Sequence, residues 1–220
     1  VAKPRKDGVV DSYTALKAAQ RAAKPRAVAE GDELQRLGTQ VRQAAVPTKQ
    51  LIECYECGYR FQLHGRVPKT NCNKCRATLD LTDHTIAERW SGTLKTAGRI
   101  HITATGIIEA GALVANDIVL EGTIEAALVR AMRRLELHAG ARFSEASVAA
   151  PDLLVAADAA MAFIEPAEYR DVEIAGTLRA NLHATGLVTI RPTGCFEGQL
   201  STAHLIVEDG GGLIADVGDR

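Results

Sequence analysis

The sequence predicts an all-β chain: a parallel β-solenoid of about 17–18 residues per turn, preceded by a small zinc-ribbon-like module and a flexible basic arm. Three observations carry this reading. From residue 86 onward an apolar-x-apolar doublet recurs seven times, with a mean step of 17.5 residues. Four of the five cysteines fall into two CxxC pairs between residues 54 and 75. Residues 1–50 carry ten Lys/Arg against five Asp/Glu, whereas residues 86–220 carry 11 against 18. With 46% hydrophobic but only 4% aromatic residues, the core has to be built from small aliphatic side chains. No apolar run reaches the length of a membrane span, and Lys3-Pro4-Arg5-Lys6 leads into no apolar leader segment, so the expectation is a soluble, cytoplasmic chain.

The arm comes first, over residues 1–48. Pro4, Pro25 and Pro47 break it, and two short helices are expected inside it. Ser12 is placed to cap a stretch running to Ala23, and Asp32 a second one in which Leu34, Leu37 and Val41 share a face. Neither has the apolar surface to fold alone. Lys3, Arg5, Lys6, Arg21, Lys24 and Arg26 make the arm a candidate for an anionic partner, either nucleic acid or a membrane surface. Contact with its own acidic body is the equal alternative.

The module follows, over residues 49–84. Cys54-Tyr55-Glu56-Cys57 and Cys72-Asn73-Lys74-Cys75 each leave two residues between thiols, so two tight turns aim four thiolates at one tetrahedral centre. Gly58 stands where such a turn needs a positive φ. Strands are expected at 51–53, 59–63 and 78–81. A segment this short buries too little to fold unaided, so structural zinc is expected to supply the folding energy. Disulfides suit a cytosolic chain poorly, and a redox CxxC lacks its βαβ setting. With all four positions cysteine, no ligand place is left for a catalytic water. Arg60, Arg66, Lys69, Lys74 and Arg76, with Tyr59 and Phe61, give the module a basic, partly aromatic face.

The solenoid is expected over residues 85–217. Its doublets are Ile100/Ile102, Ile118/Leu120, Leu135/Leu137, Leu153/Val155, Val172/Ile174, Val188/Ile190 and Leu205/Val207. A small residue two places before an apolar one follows each doublet: Gly106/Ile108, Gly122/Ile124, Ala141/Phe143, Ala159/Met161, Gly176/Leu178, Gly194/Phe196 and Gly211/Leu213. The gap between the two elements is always even, which keeps both on one side of an extended chain. A looser third position reads Leu113, Leu128, Val148, Leu182 and Leu200. Three strands per turn with Gly or Ala corners describe a coil of triangular section, stacked at about 4.8 Å. Residues 158–171 leave the rhythm. A loop or bulged rung is expected there, with Phe163 and Tyr169 packed back or forming a patch.

With the repeats laid out, residues 86–215 resemble the bactofilin family of bacterial polymer-forming cytoskeletal proteins. The resemblance rests on Gly92-Thr93-Leu94, Gly122-Thr123-Ile124-Glu125-Ala126, Arg134 through Phe143, Gly176 through Ala180 and Gly194 through Leu200. It implies a right-handed β-helix that assembles end to end into filaments without nucleotide, often near the membrane. The leading zinc module and the alanine-rich middle turns depart from the common pattern.

End rungs expose unpaired backbone and open core, so they must be capped or paired. No amphipathic capping helix is expected after the last turn, so self-association is expected there, through Leu205, Val207, Leu213, Ile214 and Val217. At the other end Trp90 and Leu94 are expected either to meet a partner or to lie under the module, and a covered end would limit assembly to dimers. A homo-oligomer or filament with protein partners and no small-molecule substrate is the reading. A rival β-helix acyltransferase needs a strict six-residue repeat, which the variable turn length breaks. His101, His138 and His204 are expected to point outward and His183 to lie near a corner, with no catalytic set among them. A zinc-ribbon adaptor of limited oligomeric size is the other rival. Cys195 is expected to be unreactive.

Overall fold

The computed structural model describes residues 49–218, and of Val217 and Gly218 only the backbone. The arm, with its expected helices and Lys3, Arg5, Lys6, Arg21, Lys24 and Arg26, lies outside the described residues. In chain order the strands are β1 (Lys49–Glu53), β2 (Arg60–His64), β3 (Lys69–Asn71), β4 (Thr78–Asp80), β5 (His84–Ile86), β6 (Arg89–Lys95), β7 (Arg99–Ile102), β8 (Ile107–Leu120), β9 (Thr123–Ile124) and β10 (Ala127–Leu137). There follow β11 (Val148–Ala149), β12 (Asp152–Val155), β13 (Ala160–Ala162), β14 (Ala167–Tyr169), β15 (Asp171–Ile174), β16 (Thr177–Ile190), β17 (Cys195–Val207) and β18 (Gly212–Gly218). The single helical element described is the 3-10 turn Glu145–Ser147.

The strands β5–β18 form a β-solenoid of about 8 turns. On its first face every doublet read from the sequence stacks on the next without a slip. Ile100, Ile118, Leu135, Leu153, Val172, Val188 and Leu205 form one parallel column. Ile102 through Val207 form the next. The strand His84–Ile86 adds one more rung below them, paired His84 to Ile100 and Ile86 to Ile102. A residue two places on points the same way in an extended chain, so these columns line the interior. From Ile100 to Ile190 all of their members are at most 2% exposed.

The second face stacks Trp90 on Ile108, Ile108 on Ile124, and Met161 on Leu178, Phe196 and Leu213. The third corrects the sequence reading by one residue. Val129, not Leu128, lies between Leu113 and Val148, and Leu128 points out, 68% exposed. Three successive residues, Ala127-Leu128-Val129, can each serve as an anchor by character, and only the register against Leu113 decides between them.

The corners explain the glycines. A Cβ on Gly176 would lie 2.2 Å from the Ala156 carbonyl oxygen, and one on Gly194 would lie 2.1 Å from that of Ile174. Ala141 and Ala159 hold the same corner in two successive turns, and there the ladder opens. One isolated bridge, Thr123 to Arg142, joins the second face below, and β13 and β14 pair upward with β16 only. At this level β12 is the one strand laddered on both sides, to β10 below and β15 above, with the Arg170 N–H to the Pro151 carbonyl (2.6 Å) and the Ile164 N–H to the Glu145 carboxylate (2.9 Å) as further links. The stretch 158–171 is therefore a split rung rather than a loop. Phe163 is buried and meets Phe143 edge-on, with centroids 5.9 Å apart. Ala167 supplies the third-face anchor against Leu182, and Tyr169 packs on the core beside Ala184.

Candidate metal centre and solenoid ends

Two short antiparallel hairpins, β1–β2 and β3–β4, build the module. β3 was not expected from the sequence, since Lys69-Thr70-Asn71 has no apolar pattern. Between the strands of each pair sits a cysteine turn, and the two turns have the same hydrogen bonds. Cys54 N–H donates to the Tyr59 carbonyl (3.0 Å), and Gly58 N–H to the Cys54 carbonyl (2.8 Å). In the second turn Cys72 N–H donates to Ala77 (2.9 Å) and Arg76 N–H to Cys72 (2.9 Å). Gly58 has φ 68, as expected, and Arg76 takes the same left-handed backbone at φ 63.

These turns bring Cys54, Cys57, Cys72 and Cys75 together, with all four ligand sulfurs within 4.8 Å of one another. The Cys54–Cys75 and Cys57–Cys72 sulfur separations are both 3.7 Å. A tetrahedral ion bound at 2.3 Å by thiolates has sulfur–sulfur edges of about 3.8 Å. The four cysteines are free thiols clustered at a distance at which they could hold one metal ion. Burial pushes the Cys54 thiol up to about 12. Burial also raises Cys72, but the N–H groups of Cys75 and Lys74 and the neighbouring thiols outweigh it and bring it down to about 6. Ile52, Phe61 and Leu79 pack beneath the cage as a core separate from that of the solenoid.

A buried threonine seats the module. Thr96, fully inaccessible, donates to the Thr82 carbonyl (2.8 Å) and accepts the Gly98 N–H (2.9 Å). Beside it Ala97 N–H donates to the Asp80 carbonyl (2.7 Å), and Ala97 itself joins the module's core. Lys95 meets Glu56 at 2.7 Å, and the Asp83 carboxylate accepts the Arg99 N–H at 2.8 Å. Nothing in the sequence marks Thr96, because a threonine reads the same in any strand.

The first-rung groove, about 430 Å³, is lined by residues from His84 to Leu94, with Trp90 half-buried. Trp90 and Leu94 pack on the solenoid core, and the Trp90 indole lies over Gly92. Among the described residues, 49–83 contribute nothing to the wall of this groove. At the opposite end, among the described residues no strand covers 205–207 of β17, or β18. Val207 is 41% exposed, and Leu205 and Leu213 are half-buried on the core. Ile214 stacks on Glu197 in an outward column and is 67% exposed, so it lies on the outer wall of that rung.

Arg60, Arg66, Lys69, Lys74 and Arg76 are all exposed, and Arg60 pairs with Glu53 at 2.7 Å. Tyr59 stacks on Phe61, which is spent in the module's core. His101 meets Glu121 at 3.0 Å, and His138 lies between Glu136 (2.9 Å) and Asp158 (3.2 Å). His183 stacks on Ser201, next to the bend at 184–187 where β16 passes from one face to the next, as expected. Cys195 stacks between Thr177 and Gly212, half-buried. Among the described residues no helix is long and apolar enough to cross a membrane. Comparison with protein-family models, with curated proteins and with solved structures finds no match to this chain.

Proposed function

We propose that this chain is a non-catalytic, polymer-forming scaffold of the bactofilin type, which self-assembles through the ends of its solenoid while the module and basic arm recruit partners at the cytoplasmic side. The observation that carries the reading is the uninterrupted first-face ladder, whose rung Leu205–Val207 has no further strand paired on it among the described residues, with Val207 41% exposed. A parallel ladder is its own template, since the rung that would satisfy it is another copy of itself. The groove at the N-terminal rung, lined among the described residues by 84–90 and Leu94, supports a second contact at that end.

The ion we assign to the four thiolates is zinc, which prefers a tetrahedral sulfur set. Its role is to fold the module, because four protein ligands leave no place for water. His101 is held by Glu121 one turn on, and His138 by Glu136 on its own turn and Asp158 on the next, an arrangement that suits a solvated wall.

Negative-stain microscopy of the full chain tests the proposal. Filaments or end-to-end oligomers are expected from the native chain, and monomers from a Val207→Glu, Leu213→Glu variant that circular dichroism shows to be folded. Unchanged filaments in that variant would move assembly elsewhere.

A further inference from the structure

The assigned roles leave a cleft of about 370 Å³ between the module and the side of the solenoid. Arg60 reaches it from β2, Arg130 from β10 and Arg170 from the segment joining β14 to β15, with Met132 and Pro151 in its wall. Glu53 is the one carboxylate in its wall, and Asp152 and Asp171 meet Arg170 from outside it, so the guanidinium that faces the cleft without a paired carboxylate is that of Arg130. Glu53 engages only the Nε of Arg60. Arg170 spends Nε and one terminal nitrogen on Asp171 and Asp152. Arg130 is exposed and, among the described residues, has neither a hydrogen bond nor an ion pair. Three planar donor forks from three elements, most of their N–H groups unspent, converge over a partly apolar wall.

We infer that this cleft binds a carboxylate-rich peptide segment of a partner protein, and so names the class of partner for the recruiting role in the proposed function, on which it rests. Guanidinium forks match carboxylates in pairs, and charge-assisted bonds of this kind are the strong ones. The apolar wall takes the aliphatic side chains that alternate with carboxylates in such a segment. The surroundings disfavour a long polyanion. Residues 86–220 carry seven more acids than bases, so a nucleic-acid strand running on out of the cleft follows a negatively charged wall, whereas a short peptide segment ends within it.

Fluorescence anisotropy of the full, metal-loaded chain with a short labelled peptide of alternating glutamate and leucine tests this. Saturable binding that weakens about tenfold or more in Arg130→Glu is expected, since reversing one fork removes a charge-assisted contact and adds repulsion. Lys69→Glu, the same charge change on the other hairpin, should leave binding in place. The end-rung variant Val207→Glu, Leu213→Glu should also bind normally, so failed assembly and a failed cleft give different results. Equal binding by wild type and Arg130→Glu, or equal loss in Lys69→Glu, would overturn the cleft. Tighter binding of a labelled DNA strand, lost in Arg130→Glu, would overturn the peptide in favour of nucleic acid.

Discussion

Gly58 and Arg76 hold one structural position twice: each follows the second cysteine of its turn, and each takes the left-handed backbone, at φ 68 and φ 63. For a glycine that conformation is free of Cβ strain, whereas a side chain there costs about 1–2 kcal/mol. Arg76→Gly should therefore stabilise the module, by up to about 1 kcal/mol once glycine's extra chain entropy is subtracted. Gly58→Ala should destabilise it by a similar amount. Thermal melts of the metal-loaded chain check both, and a lower midpoint for Arg76→Gly would refute the equivalence.

The corner geometry makes an asymmetric prediction. Gly194→Ala forces a Cβ to within 2.1 Å of the Ile174 carbonyl, where backbone must move, and should cost about 3 kcal/mol or more. Ala159→Gly meets no such obstacle and should cost only about 1 kcal/mol, the entropy of the added glycine. Urea unfolding of the two variants separates these outcomes.

Tyr169 links stability to alkaline pH. Burial, with the nearby Glu145 carboxylate adding to it, pushes its hydroxyl up to about 12. The unfolded chain ionises this group near 10, so its contribution is whole below that pH and is lost as pH rises toward 12. The native chain should lose on the order of 2 kcal/mol more than Tyr169→Phe across that interval. Parallel losses in both proteins would show that Tyr169 is not the group responsible.

Stripping the metal should melt β1–β4 and leave the ladder intact. The module's core of Ile52, Phe61 and Leu79 is small and lies apart from the long column of the solenoid. Hydrogen exchange after chelation should show protection lost over residues 49–80 and retained from 100 to 207. Loss of protection throughout would mean that the module is required for the turns to form.

The module's seat rests on Thr96. Thr96→Val keeps the shape but removes the bond to Thr82 and leaves the Gly98 N–H without its acceptor, at a cost of about 1–3 kcal/mol. Faster exchange at residues 80–84 in this variant would report the loosened joint.

The elements legible in the sequence were those whose chemistry repeats. The doublets stack in the expected order because an even spacing leaves each pair one buried side to choose. The cysteine cage was legible because its spacing admits one centre. The first rung escaped notice since His84 occupies a place filled elsewhere by an aliphatic residue. The third-face anchor slipped by one because adjacent apolar residues carry no parity signal. Arg76 could not be read as left-handed, because an arginine announces no such backbone. The arginine cleft draws on residues 60, 130 and 170, which only the seating of the module brings together.

The single continuous strand through the alanine turns has a mechanical consequence. A rod pulled or twisted along its length yields where the fewest bonds cross its section. In this molecule that section passes through Asp152–Val155, the Arg170–Pro151 and Ile164–Glu145 bonds and the Phe143–Phe163 contact. Strain delivered from either tip is therefore concentrated at mid-length, and the segments on each side can tilt like two stiff splints on a common tape before either one frays.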